Sequence, residues 1–189
     1  MKYYYFIATL PSLSMDEPPS LSMDRFLALC DEHLTASDRD EVQALAAEES
    51  AAAAGSFAHG WREMETQLRN ACVRQRAARR RESPEAWLRP QEGVDLYLEK
   101  SVADAFAEKD PLSRERALDR VRWRRIEDLS GLDPFAPERV FAYALHLRMA
   151  ERWAAHDADK GLARVEALTA RGPADLNQEA AAAPAGRQL

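Results

Sequence analysis

Apolar residues recur every three or four positions along most of this chain, with polar residues between them, and that spacing predicts helices. Phe26, Leu27, Cys30 and Leu34 share one face of a helix over residues 22–34, for which Ser22 is the N-cap. Ser37 reads as the cap of a short acidic helix whose Asp38, Asp40 and Glu41 suit the positive end of the helix dipole. The clearest stripe joins Phe57, Trp61, Met64, Leu68, Ala71 and Cys72 within residues 56–81. "SPEAWL" places Ser83 and Pro84 at the start of a short helix that Pro90 ends. Val94, Leu98, Val102 and Ala105 predict a helix over 92–108, and Asp110-Pro111 opens another that Gly131 closes after residue 130. Residues 137–156 are apolar on most sides, as a central buried helix requires, and a last helix spans 159–170. Residues 3–10 are aromatic and β-prone and fit either an extended segment or a short buried helix before Pro11. The expected fold class is therefore all-α: a compact bundle of six to seven helices in one domain over 1–171. Residues 172–189 hold few large apolar groups to offset ordering entropy and read as a disordered tail.

Composition narrows the function more than the fold. With 26 basic and 32 acidic residues the chain carries a formal charge of -6, which opposes a general nucleic-acid binder and confines basic function to a local patch. Cys30 and Cys72 are far apart and in predicted helices, so neither a disulfide framework nor a thiolate zinc site is expected, and a reducing cytoplasm fits best. "MKYYYFIATLP" is too short for a membrane span and has no small-residue cleavage site, so it reads as part of the fold, without membrane insertion. No glycine-rich phosphate loop or nucleophile elbow is present. His33, His59, His146 and His156 lack paired ligand spacing and read as surface or capping residues. Glu48 and Glu49 lie in alanine-rich sequence without apolar walls to raise a pKa. No catalytic residue, metal or cofactor is expected.

The arginines are the conspicuous chemistry. Arg62, Arg69, Arg76 and Arg80 project together on the flank of the 56–81 stripe as a basic ridge. "RERALDRVRWRR" adds six more within residues 114–125. There Leu118, Val121, Ile126 and Leu129 define the inward face; Arg116, Arg120 and Arg124 project opposite it, into solvent. Arg114, Arg122 and Arg125 fall in the inward sector and require carboxylates, carbonyls or a second protein. Intramolecular pairs are the first reading and a partner surface the second; nucleic acid comes third, because Glu65, Glu115, Asp119, Glu127 and Asp128 interleave the ridges. Core packing is expected of the tryptophans, with Trp123 alone lying off its inward face. The residues nominated for a partner are Arg62, Arg69, Arg76, Arg122, Arg125 and Trp123.

Three stretches, "YYYFIATLPSL", "WREMETQLRNACVRQRAARR" and "DPLSRERALDRVRWRRIEDLSGLDPFAPERVFAYALHLRMAERW", cover most of residues 1–153. They resemble an uncharacterised bacterial family encoded among V/A-type ATPase subunits. That family is similar to a shortened form of the C-type subunit (d-type in eukaryotes), the helical part that joins the central stalk to the membrane ring. The resemblance implies a non-catalytic connector of a proton- or sodium-translocating ATPase at the cytoplasmic face of the membrane, or an assembly factor for it. Its partners would be the other ATPase subunits of stalk and ring. The chain is shorter than a full C-type subunit, which has three similar helical units, so it would supply only part of that connector. An independent helical adaptor, homodimeric or not, is the alternative, ahead of a nucleic-acid-binding module.

Overall fold

The computed structural model describes residues 3–47, 55–156 and 158–170. Among them the protein is all-helical: α1 (Tyr4–Thr9), α2 (Met23–His33), α3 (Ala36–Ala46), α4 (Ser56–Arg80), a 3-10 turn (Glu85–Trp87), α5 (Leu96–Ala107), α6 (Pro111–Leu129), α7 (Pro137–Ala154) and α8 (Ala158–Ala170). The chain divides into two units, Met1–Ala154 and Ala155–Leu189, with α1 to α7 in the first and α8 in the second. No helix of the described residues is long and apolar enough to cross a membrane. The tail expected at 172–189, and Glu48 and Glu49, lie outside the described residues.

Residues 4–9 resolve the open alternative at the N-terminus as helix. Tyr3 and Phe6 are buried, with Ile7 and Leu10 packed behind them, a spacing that one helical face satisfies. The Tyr3 hydroxyl donates to Asp38 and accepts the Thr35 N–H, tying α1 to the start of α3. That start falls two residues earlier than expected: the cap is Thr35, whose Oγ1 accepts from Asp38 N–H, and Ser37 lies inside the helix. Gly55 has no side chain with which to cap α4, and α3 supplies the cap instead. Glu41 Oε1 accepts from Ala58 N–H at 3.3 Å, while a Cβ on Gly55 would fall 2.0 Å from that carboxylate. Burial pushes the Glu41 pKa up, against the opposing pull of the Ala58 bond.

In the first unit α7 packs against α2, α3 and α6, while α4, α5 and α6 pack on one another. The core between them holds Phe26, Leu45, Leu68, Leu98, Ile126, Leu145 and Leu147, all fully buried. Each contributes about 1.5–3 kcal/mol through burial. Cys30 and Cys72 are buried free thiols, and burial lifts Cys30 to about 12, which keeps it protonated and unreactive.

Candidate protein-interaction surface

The arginines of α6 projected inward are held by acceptors of the same chain. Arg122 Nε donates to Glu65 Oε1 at 2.8 Å and its Nη1 to Asp119 Oδ1 at 2.9 Å. Asp119 is fully buried and also accepts from Arg152 and, at 2.8 Å, from Trp153 Nε1. These contacts stitch α4, α6 and α7 together around one carboxylate. Arg114 donates to the Glu108 carbonyl and faces the Phe106 ring. Arg125 pairs with Asp95 and Asp128, and its guanidinium lies 5.9 Å from the Tyr97 ring centre. Of the three arginines expected in solvent, Arg120 and Arg124 are exposed, whereas Arg116 is half-buried. It reaches Asp16 and lies over the Trp153 ring, because the loop before α2 crosses that side of α6.

The nominated residues do not form one ridge. Arg62 is half-buried near Glu41, Arg76 is exposed on α4, and Arg69 Nη1 donates to the Trp87 carbonyl at 2.9 Å. Trp123 stacks on His146, ring centres 3.9 Å apart and planes 12° from parallel. His146 is buried on the central helix, not at the surface or at a cap, since its Nε2 reaches the Trp123 carbonyl. Only Arg69 and Arg125 meet at a common feature, the segment from the 3-10 turn to the start of α5.

That segment is fixed by a polar stripe on α4 beside the apolar one. Glu63, Gln67, Asn70 and Arg74 follow at i, i+4, i+7 and i+11, so they stand in a row. Asn70 is buried; its Nδ2 donates to the Arg89 carbonyl (2.8 Å) and Gln91 Oε1 (2.7 Å), and its Oδ1 accepts from Arg89 N–H (2.9 Å). Glu63 accepts from Glu92 N–H, while Gln67 donates to the Glu92 carbonyl and accepts from Asp95 N–H. Arg74 ends the row on Glu99 of α5. Gly93 makes the turn with a φ of +68°, a conformation natural to glycine. Asp95 then caps α5 by accepting from Leu98 N–H at 2.9 Å.

With its backbone bound inward, the segment turns large apolar side chains outward. Trp87 is 52% exposed, Val94 60%, Leu96 78% and Tyr97 61%. Two expectations are corrected here. Trp87 is not packed in the core, and Val94 precedes α5 and faces solvent, because the α4 stripe holds the Glu92–Asp95 backbone out of the helix. Rigid, exposed aromatic and aliphatic groups lose little entropy when covered, and they are the residue types on which interfaces concentrate their energy. A groove of about 340 Å³ adjoins the segment, with Met64, Gln67, Asp95, Leu98, Arg125 and Leu129 among its walls.

A family model described as "Protein of unknown function (DUF2764)" matches residues 91–169, a span that takes in Val94, Leu96 and Tyr97 together with α5, α6 and α7. No curated protein and no solved structure matches the chain. The pinning residues Glu63, Gln67 and Asn70 escaped the sequence reading, although their helical spacing next to an apolar stripe was a usable signal.

Proposed function

We propose that this protein is a non-enzymatic connector of a V/A-type ATPase at the cytoplasmic face of the membrane, or an assembly factor for that enzyme. It docks on stalk or ring subunits through Trp87, Val94, Leu96 and Tyr97. The observation that carries the reading is the pinned segment, which holds four large apolar side chains in solvent on a backbone bound by α4. The resemblance of most of residues 1–153 to proteins encoded beside ATPase subunits supports those subunits as the partner. Coupling or assembly requires stiff elements and complementary surfaces rather than titrating groups. The stitching of α4, α6 and α7 around Asp119 supports such stiffness. The same segment would also serve an independent adaptor, including one that pairs with its own copy.

The test is retrieval of the tagged protein from gently solubilised native membranes, with mass spectrometry of what is retained and an untagged control. Stalk and ring subunits retained in fixed proportion support the connector. Their loss from a sample whose ATPase is intact overturns it in favour of the adaptor.

A further inference from the structure

A cavity of about 230 Å³ lies among the stretch after α1, α6 and α7, and shares no residue with the pinned segment. Ile7, Leu10, Leu13 and Ala142 give it apolar walls, Trp123 and Tyr143 give it aromatic ones, and Glu127, Arg139 and His146 form its polar end. The buried Tyr143 hydroxyl has no hydrogen-bond partner among the described residues and can donate to a ligand oxygen. The protonation pattern of that end follows from its bonds. His146 Nε2 lies 3.1 Å from the Trp123 carbonyl oxygen, which can only accept, so Nε2 carries the proton. In the neutral ring Nδ1 is then an acceptor, and it faces Glu127 Oε1 at 3.6 Å, a second acceptor. Burial depresses the His146 pKa and opposes a second ring proton, although Glu127 pulls the other way. Glu127 Oε2 meanwhile takes Arg139 Nη1 at 3.0 Å, and Arg139 Nη2 donates to the Gly131 carbonyl.

Each point removes a class of ligand. The Glu127 and Arg139 charges cancel, so an ammonium group gains little. A carboxylate would meet two acceptors, and a plain hydrocarbon would leave the buried His146 Nδ1 unpaired, whereas the half-exposed Glu127 keeps water. We propose that the cavity binds a neutral aromatic hydrogen-bond donor, a phenol or an indole, whose ring lies between Trp123 and the apolar walls and whose O–H or N–H is shared by His146 Nδ1 and Glu127 Oε1. The ring belongs to a free small molecule or to a tyrosine or tryptophan side chain of another protein; the chemistry is the same.

The experiment titrates the full chain with phenol, indole and toluene by calorimetry, and follows the histidine ring nitrogens by NMR. Saturable binding of phenol or indole that moves the His146 Nδ1 signal is expected, with toluene about tenfold weaker for lack of the hydrogen bond. Glu127→Gln places an amide donor against Nδ1 and is expected to weaken phenol about tenfold in a protein that remains folded. Leu13→Phe, which fills the cavity and leaves the polar end intact, is expected to abolish binding. N-acetyltyrosinamide and N-acetyltryptophanamide separate the sources: binding equal to the free rings assigns a side chain, and binding of the free rings alone assigns a small molecule. No saturable binding by the wild type, toluene binding as well as phenol, or an unmoved His146 signal overturns the proposal.

Discussion

At the scale of single residues, two buried polar groups set how the bundle answers to mutation and acid. Asp119 is enclosed by Arg122, Arg152 and Trp153 Nε1, so its removal takes the shared acceptor from the buried Trp153 ring and the half-buried Arg122, while Arg152 stays in reach of solvent. Asp119→Ala should destabilise the protein by about 3 kcal/mol, read by denaturant unfolding; a loss below about 1 kcal/mol would mean that the donors find water. His146 acts through pH. Its folded pKa lies below the ordinary 6.5, so between the two values the unfolded chain binds more protons than the folded one. Its stabilising contribution is complete above the unfolded pKa and shrinks as pH falls through about 6.5 toward the folded value. Thermal unfolding between pH 7.5 and 5.5 should show this fall, and His146→Leu should flatten it. An unchanged slope in the variant would place the effect elsewhere. Neither behaviour was visible in sequence, where Asp119 counted as one of the acids that oppose phosphate and His146 as a surface or capping residue.

At the scale of elements, α4 does two jobs with adjacent rows. Phe57, Trp61, Met64, Leu68 and Ala71 enter the core, and Glu63, Gln67, Asn70 and Arg74 hold α5 and the segment before it. Asn70→Ala should cost about 2 kcal/mol, because it orphans the Arg89 backbone groups in a half-buried place. It should also speed amide exchange at Arg89 and Glu92 while the middle of α4 stays protected. Equal loosening of the whole helix would deny the stripe its specific role. The helices themselves were largely readable: Ser22, Asp110 and Pro111 open α2 and α6 where the capping chemistry placed them. The start of α5 was not, since its periodicity extends back to Val94 while tertiary hydrogen bonds to α4 withhold that residue.

At the scale of the whole molecule, docking through the pinned segment predicts binding and stability to separate. Leu96 is 78% exposed, so Leu96→Asp should leave the unfolding free energy within about 0.5 kcal/mol of wild type. It should nonetheless lose the partner subunits in the membrane retrieval. Retention of those subunits by a folded Leu96→Asp protein would move the docking surface off this segment. Arg125 provides a contrast, since it joins Asp95, Asp128 and Tyr97 and so supports the segment from behind.

The sequence by itself determined the helical class, most helix ends and the apolar stripes, because these depend on periodicity and on capping groups within a few residues of one another. It also established that Arg122 and Arg125 needed acceptors, since a guanidinium on an apolar face cannot stay unpaired. Only the tertiary structure decided which acceptors those were. Glu65, Asp95 and Asp119 come from three different helices or their caps, and their proximity depends on how the helices pack. The same packing buried His146, exposed Trp87, and directed the polar row of α4 onto the backbone of a loop 19 to 29 residues further along the chain. A helical projection shows which side chains share a face; what that face meets is fixed by contacts distant in sequence.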